Sequence, residues 1–339
     1  MNDELIMITP EVEAGAGGVA DYTLRLVAEW DDAIRVRYFT PQDGDILARL
    51  PAAGGKILLQ YSAYGFHRRG FPRRLLRGLR DWKTRTGGLL VVMFHEIWSF
   101  RSAFSIDYFV QHFHRAEIGQ LLRVADAIFT STPDQVEHLR RLAPESNIQL
   151  LPVGSNIPVV ARAENARDPH LAVSFGLQGT RLRDLRALAA DLKALAAAQV
   201  IRKVITCGRG ASSGAEQALL ATLELAEGFE QLSALAPLEV SALLARATFG
   251  LSAQDPRSLH KSGTFMACAA HGLNVISPFA DSLGAEPFCW LVRPRELLAD
   301  LSPNELKSRA ESLRDWQQRT ASWPEIAARF ASALQLSSS

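Results

Sequence analysis

Two successive series of alternating apolar strands and amphipathic helices predict an α/β protein with two parallel, doubly wound sheets. Three observations carry this prediction. They are the alternation itself, a polar and irregular stretch at 161–168 between the two series, and a length of 339 residues, which is too great for one compact core. Such sheets bind ligands beyond the carboxyl ends of their strands, so the predicted active site is a cleft between two facing domains.

The first series, over residues 1–160, has six apolar runs of strand length separated by helical spacing. The predicted strands are Leu5–Thr9, Val36–Thr40, Lys56–Gln60, Leu89–Phe94, Ala127–Thr130 and Ile148–Pro152. The predicted helices are Val19–Trp30, Pro72–Arg85, Phe109–Arg123 and Pro133–Leu142.

The second series begins after the polar stretch and has five strands. They are Leu171–Gly176, Lys203–Cys207, Phe229–Leu232, Phe249–Ser252 and Asn274–Ser277. The helices between them are Leu182–Ala198, Ala215–Leu225, Leu238–Arg246 and Phe265–His271. A capping box at Ser302–Glu305 starts a helix that runs to Arg319, and a last helix follows Trp323.

Composition excludes several classes of protein. The net charge is +1 and 47% of residues are hydrophobic, so the chain carries no global bias toward nucleic acid. We expect no membrane span and no signal sequence, because no apolar run is long enough for either. Three distant cysteines (Cys207, Cys268 and Cys289) favour a reducing compartment, so we expect a cytoplasmic protein without a disulfide framework or zinc site.

A glycine-rich loop follows the first strand, with Gly17 and Gly18 just before a helix. Glycines at this place let the backbone approach an anionic ligand closely. A dinucleotide fingerprint would need a third glycine where Ala20 stands, and the loop is longer than such folds use, so we expect no nicotinamide or flavin cofactor. A purely structural turn is the alternative.

His95 and Glu96 end the buried strand of residues 89–94 and are expected to point into the cleft, since neither is a comfortable core residue. The imidazole can donate to a hydroxyl or phosphate oxygen, and the carboxylate can accept from hydroxyls. A hydrogen-bonded structural histidine is the alternative. No second histidine follows at helical spacing, so the pattern does not predict a metal site.

Arginines follow two strands of the second series. Arg181 and Arg183 lie in the predicted loop after Gly176, and Arg209 lies between two glycines after the next strand. Because guanidinium groups match diphosphate oxygens, these loops predict diphosphate binding. A lone arginine in a loop is more often a solvated charge.

A cationic, hydroxyl-rich run opens into a small-residue helix that Gly272 ends. The unpaired N–H groups and dipole of a helix start favour a phosphate there. The alternative is an ordinary capped helix with a solvated lysine. The residues expected to form this anion site are Ser258, His260, Lys261, Ser262, Gly263 and Thr264.

Taken together, these motifs resemble the GT-B glycosyltransferases, in particular retaining family 4. The resemblance rests on Gly17–Tyr22, on Phe94-His95-Glu96, on Pro152–Pro158 and on Ala267–Gly272 with the Val275-Ile276 that follows. It implies transfer of a sugar from a nucleotide donor to an acceptor hydroxyl, with retention and without an obligatory metal or cofactor. It also implies domains at 1–160 and 161–318, with residues 319–339 crossing back to the first domain.

The resemblance assigns roles to the candidate residues. Gly17 and Gly18 would lie near the donor diphosphate and sugar, and Asp21 and Tyr22 on the acceptor side. His95 would contact the transferred sugar, Glu96 would order the strand end and Lys261 would hold the diphosphate. These last three are the expected catalytic residues.

One departure from the family is clear. Its two glutamates, eight residues apart, correspond here to Leu259 and Ala267. Their loss leaves open a binding-only subunit of GT-B fold, and a sugar-nucleotide epimerase is a third alternative. A metal-dependent GT-A enzyme would need a working Asp-x-Asp, but Asp43-Gly44-Asp45 is more typical of a surface turn.

Residues 67–85 concentrate positive charge, and their leucines and Trp82 recur at helical spacing. This pattern favours an interfacial helix on an anionic membrane and a lipid-linked acceptor, as in glycan, polysaccharide or glycolipid assembly at an inner membrane face. The alternative is a surface helix whose apolar stripe packs on its own domain.

Overall fold

The computed structural model describes residues 4–15, 17–31, 33–97, 106–159, 167–210, 214–299 and 301–336. The chain divides into two compact units. Unit 1 comprises Met1–Val153 and Trp323–Ser339, and unit 2 comprises Gly154–Ser322. The sequence-based limits of 160/161 and 318/319 differ from these divisions by seven and four residues, and 160–166 fall outside the described residues.

Unit 1 contains a six-stranded parallel sheet in the order β2-β1-β3-β4-β5-β6. Its strands are β1 (Glu4–Ile8), β2 (Arg35–Phe39), β3 (Lys56–Ser62), β4 (Leu89–Glu96), β5 (Ala127–Thr130) and β6 (Ile148–Leu150). The helices are α1 (Gly18–Ala28), α2 (Ala63–Phe66), α3 (Arg73–Thr86), α4 (Ile106–Leu122), α5 (Pro133–Leu142) and a C-terminal helix, Trp323–Ala333.

Both faces of this sheet are covered. Successive strand residues point to opposite sides, so neighbouring residues pack in different clusters. Leu59 of β3 packs in a cluster with Leu79 and Trp82 of α3. Its neighbour Leu58 packs in a second cluster with Leu26 of α1 and Phe330 of the C-terminal helix. This arrangement explains why the central strand β4 is a nearly continuous apolar run, whereas the edge strand β2 alternates exposed and less exposed residues.

Unit 2 contains a five-stranded parallel sheet in the order β11-β10-β7-β8-β9. Its strands are β7 (Asp168–Phe175), β8 (Lys203–Cys207), β9 (Phe229–Leu232), β10 (Ala247–Leu251) and β11 (Asn274–Ile276). Its helices are α6 (Gln178–Ala187), α7 (Ala189–Ala197), α8 (Gly214–Ala221), α9 (Pro237–Arg246), α10 (Gly263–Ala270), α11 (Pro294–Leu298) and α12 (Pro303–Ala321). Two parallel, helix-covered sheets confirm the predicted α/β class.

One local prediction in unit 2 is wrong. The segment Gln178–Arg181, predicted to precede the helix, is the start of α6, and the predicted single helix Leu182–Ala198 is two helices that meet at Leu188. Leu188 is fully buried and its backbone leaves the helical region, with φ −104° and ψ 7°. Burial of this leucine places the break, which an Ala/Leu-rich sequence does not reveal.

The basic helix α3 does not present its apolar stripe to solvent. Leu75, Leu76, Leu79 and Trp82 are all buried in the core of unit 1. The apolar stripe of α3 therefore packs on its own domain. The prediction that this stripe faces a membrane is wrong. Among the described residues, no helix combines the length and the apolarity needed to cross a bilayer.

Candidate functional site

A cavity of about 580 Å³ lies at the carboxyl end of the unit 2 sheet. It sits beside β7 and β10, where the strand order reverses, which is the usual ligand position in doubly wound sheets. Its walls are the turns after β7 and β8, the loop after β9 and the start of α10. The lining residues are Asn156, Ile157, Phe175, Gly176, Leu177, Thr180, Cys207, Gly208, Arg209, Ala234, Leu235, Val240, Gln254, Ser262, Gly263 and Thr264.

Two glycine turns form part of the cavity wall. Gly176 has φ +121° and Gly208 has φ +143°, conformations that L side chains rarely adopt. A Cβ on Gly208 would overlap the Gly176 carbonyl oxygen, and a Cβ on Gly176 would come within 2.8 Å of Thr264 Cγ2. The turns after β7 and β8 therefore approach each other backbone to backbone.

The predicted helix start contributes three of its residues to the cavity. Helix α10 begins at Gly263, two residues earlier than predicted, and Ser262 is its N-cap. Ser262 Oγ accepts from Phe265 N at 3.3 Å and lies 3.1 Å from Thr264 Oγ1. The first turn of α10 therefore brings backbone N–H groups and two hydroxyls to the cavity, and such groups suit an anion.

The predicted arginines have three different settings. Arg209 lines the cavity and is exposed. Arg183 lies outside the cavity lining and pairs with Asp184 Oδ1 at 3.1 Å. Arg181 is 2% exposed, and its guanidinium is bonded to Glu216 and to two backbone carbonyls. Because these donors are already bonded within unit 2, Arg181 is not proposed as a diphosphate ligand.

The residues just before α10 lie outside the lining of this cavity. Ser258, His260 and Lys261 belong to a 3-10 helix, Pro256–Lys261, with Lys261 exposed at its end. His260 is buried edge-on against the rings of Phe288 and Trp316. Burial lowers the pKa of His260 to about 4, so its ring is neutral near pH 7 and supplies no charge for an anion.

The positions that carry acids in the resembled family are core positions here. Leu259 is 1% exposed and Ala267 is fully buried. Neither lines the cavity. Gln254, a polar side chain that does line the cavity, donates from its amide to Ser258 Oγ.

In unit 1, His95 lies in a β-bulge at the end of β4. Tyr61 pairs with Phe94 but Ser62 pairs with Glu96, so His95 is the extra residue. Bulges of this kind re-aim side chains and are common beside active sites. His95 Nε2 lies 2.7 Å from Oε1 of Gln60, and Gln60 Nε2 donates to Met7 Sδ at 3.7 Å. Because an amide oxygen only accepts, this arrangement makes Nε2 the protonated ring nitrogen.

The structure separates His95 from its neighbour. His95 is 5% exposed and stacks edge-on against Tyr22, with ring centroids 4.9 Å apart. Glu96 is exposed and accepts from Ser62 Oγ at 3.4 Å. The two therefore differ in access to solvent, although both were expected to face one ligand.

The glycine-rich loop of unit 1 is closed by its own helix. Asp21 Oδ1 accepts from Gly15 N at 2.8 Å, so this predicted acceptor-side residue holds the loop. Gly17 is extended, and a Cβ there would meet the Glu11 carboxylate, while Gly18 opens α1 with free space around it. Tyr22 is buried, and desolvation raises the pKa of its hydroxyl well above the usual range.

A second cavity, of about 690 Å³, lies beside α2 and α3 in unit 1. It combines apolar side chains such as Ile46 and Phe71 with the arginines Arg73, Arg74 and Arg77. Arg73 and Arg77 pair with Glu117 at 3.2 and 2.5 Å, and Arg74 pairs with Asp45 at 2.6 Å. The cavity therefore has both a hydrophobic and a cationic part.

Sequence reasoning missed two residues that position these sites. Gln60 is fully buried and holds His95. Its signal was a glutamine at the end of an aliphatic strand, which requires a buried partner. Glu216 pairs with Arg181, and nothing in its helical surroundings marks it as buried. Within the described part of the chain, no three His, Cys, Asp or Glu residues cluster as metal ligands.

Among comparisons with known proteins, the solved structures identify the fold. No protein-family model and no curated protein sequence matches the chain. Solved structures do match along nearly its whole length. Anabaena HepE in complex with UDP-glucose is 12% identical over 98% of this chain and 99% of that chain, with a TM-score of 0.57.

Two further structures match to a similar extent. WaaG, a glycosyltransferase involved in lipopolysaccharide biosynthesis, is 14% identical over 98% of this chain and 100% of that chain, with a TM-score of 0.57. The α,α-trehalose 6-phosphate synthase of Burkholderia multivorans is 11% identical over 99% and 96%, with a TM-score of 0.60. At these identities the likeness establishes the GT-B fold.

Proposed function

We propose that the protein is a glycosyltransferase that moves a sugar from a nucleotide-sugar donor to an acceptor hydroxyl. The observation that carries the proposal is the unit 2 cavity, which combines two close glycine turns, the start of α10 and Arg209. Backbone N–H groups and one guanidinium suit a diphosphate. The apolar side chains Leu177, Leu235 and Val240 offer a surface for a flat base or sugar face.

Neighbouring structures support the same ligand. HepE was solved with UDP-glucose and also with UDP and glucose, and an α-glucosyltransferase of TM-score 0.59 was solved with UDP-glucose. We carry a nucleotide-sugar donor over to this chain as part of the proposal.

Retention and metal independence belong to the proposal as well, on the resemblance to family 4. In the proposed step the bond between the sugar anomeric carbon and the donor phosphate oxygen breaks. The acceptor oxygen forms its bond on the same face, and the acceptor proton passes to the departing phosphate. The step therefore balances without a protein base. Activity that persists in excess chelator would support metal independence.

Nucleotide binding is the first test. Thermal shift and calorimetry with UDP, GDP and ADP should show that one of them stabilises the protein. Donors with that base should then be hydrolysed slowly or transferred to an added acceptor. Absence of any nucleotide response would contradict the proposal. Gly208→Ala, whose Cβ would collide with the Gly176 carbonyl and displace the turn that lines the cavity, should weaken the response.

A non-catalytic nucleotide-sugar-binding subunit is the second candidate. It is favoured by the burial of Leu259 and Ala267, the positions at which the resembled family places its acids. Tight binding of a nucleotide sugar with no hydrolysis and no transfer across a broad acceptor panel would support this candidate over the enzyme.

For the acceptor, we propose an anionic, partly apolar molecule such as a lipid-linked glycan at an inner membrane face. Support comes from the unit 1 cavity, with its arginines and apolar wall. Flotation with anionic liposomes tests the surface itself. Binding that is lost in Arg68→Glu/Arg69→Glu, two exposed positions beside the cavity, is expected. Equal binding by that variant would contradict a membrane role.

A further inference from the structure

The buried pair Arg181–Glu216 lies directly beneath the unit 2 cavity. Arg181 is on the first turn of α6 and Glu216 is near the start of α8, the helices that follow β7 and β8. The contact is a two-bond fork, with Nε to Oε1 and Nη2 to Oε2 both at 3.0 Å. Both side chains are buried, at 3% and 0% exposure.

The third nitrogen of Arg181 binds backbone. Nη1 donates to the Gly176 carbonyl at 2.6 Å and to the Arg209 carbonyl at 3.3 Å. One of these carbonyls belongs to each glycine turn of the cavity wall. The same two turns are joined by Gly176 N to Cys207 O at 3.0 Å and by Gln178 N to Arg209 O at 3.1 Å.

The chemistry of the pair fits a clamp. A guanidinium presents five donors in a fixed plane, so one edge can hold Glu216 while the remaining nitrogen holds both turns. Burial raises the pKa of the Glu216 carboxyl, but hydrogen bonds from Arg181, Thr206 and Gln231 and the charge of Arg181 together keep the pKa below its ordinary value. The acid is therefore charged at neutral pH and fixes the guanidinium in place.

We infer that the Arg181–Glu216 pair is a positioning element for the proposed donor site. It holds the turns at Gly176 and Gly208–Arg209 in register, and so sets nucleotide affinity without touching the nucleotide. The inference rests on the proposed function for its ligand. Arg181 also positions Arg209, because Arg181 Nη1 donates to the backbone carbonyl of Arg209. The side chain of Arg209 lines the cavity.

Two variants of the pair separate positioning from simple stability. Arg181→Lys keeps a positive charge beside Glu216 but cannot supply the fork and the backbone bonds together. Arg181→Met with Glu216→Leu removes both charges, so no buried ion is left unpaired, and apolar replacement of such pairs is often well tolerated. The matched control is Arg309→Met with Glu296→Leu, a pair at 2.8 Å that lies outside the cavity lining.

The first measurement is calorimetric affinity for UDP, GDP or ADP, whichever the wild type binds, at a temperature well below the melting point of each variant. Both Arg181 variants should raise the Kd roughly tenfold or more, since small displacements of a binding group are costly. The control should change the Kd by less than about twofold. Folded Arg181 variants with wild-type affinity would overturn the inference.

The second measurement needs no nucleotide. Amide exchange at Gly176 and Gln178, whose hydrogen bonds join the two turns, should become faster in the Arg181 variants and stay unchanged in the control. Unchanged exchange would overturn the clamp even if the wild type bound no nucleotide. A wild type without nucleotide affinity but with faster exchange in the variants would instead contradict the proposed function alone.

Discussion

The two candidate sites are built from different materials. In unit 2 the cavity wall is largely backbone, with glycine turns and a helix start, and one exposed arginine is added to it. In unit 1 the corresponding groups are side chains held by other side chains, as in His95 with Gln60 and Arg77 with Glu117. We therefore expect added side-chain volume at the glycine turns to damage unit 2 most. In unit 1 we expect the largest damage from loss of a hydrogen-bond or ion-pair partner.

The largest expected effect tests the backbone character of unit 2. Gly208→Ala should destabilise unit 2 by roughly 3 kcal/mol or more, because it adds strain at positive φ and a clash with the Gly176 carbonyl. Urea denaturation measures this, and nucleotide affinity should fall with it. Gly179→Ala, an exposed position of α6 with open space around it, is the control and should be nearly neutral. Equal stability of the two variants would contradict the close approach of the turns.

The next effect compares one buried histidine from each unit. Burial lowers the pKa of His114 in unit 1 and of His260 in unit 2 from 6.5 to about 4. Because the unfolded chain binds protons more readily, stability is fully present above about pH 6.5 and is lost as the pH falls toward 4. Each group should contribute about 3 kcal/mol to this loss by linkage.

Chemical denaturation between pH 7 and pH 4 checks this expectation. His260→Gln should reduce the pH dependence of unit 2, to which the buried His271 also contributes, and leave that of unit 1 in place. A wild type whose unfolding free energy is constant across this window would show that the two rings are not held neutral.

A smaller effect tests the side-chain partnership in unit 1. Gln60→Leu leaves the His95 Nε2–H without its acceptor, so the free energy of unfolding should fall by about 1–3 kcal/mol. Gln149→Leu, at a partly exposed position of β6, is the control. If the proposed function holds, the transfer activity of the folded variant should also fall, since the orientation of the His95 ring is lost. Wild-type activity in a folded Gln60→Leu protein would remove His95 from the site.

The smallest effect on stability is expected at Arg209. Arg209→Ala should leave the melting temperature within about 2 °C of wild type, because the side chain is exposed. It should raise the Kd for the nucleoside diphosphate about tenfold, as expected for one charge-assisted contact. Calorimetry at two salt concentrations measures both the loss and its ionic origin. Arg319→Ala, another exposed arginine of unit 2, should leave the affinity unchanged.

Local signals in the sequence predicted the α/β class, the order of the strands and most helices, and a helix start within two residues of Gly263. Apolar runs, helical periodicity and capping residues are local signals, and local signals are what a sequence displays directly. The sequence also predicted a close backbone approach at Gly17 and Gly18, whereas the contact between the turns at Gly176 and Gly208 is found only in the structure.

Which charged groups are used inside the protein depends on contacts between segments that are distant in the chain. Arg181 and Arg209 look alike in the sequence, yet one is clamped by Glu216, 35 positions away, and the other lines a cavity. Leu75 and Trp82 of the basic helix could have faced a membrane or a core, and burial against the unit 1 sheet settled it. The physical reason is the same in each case. The cost of burying a charge or exposing an apolar stripe depends on partners distant in the chain, and those partners are fixed only when the sheets form.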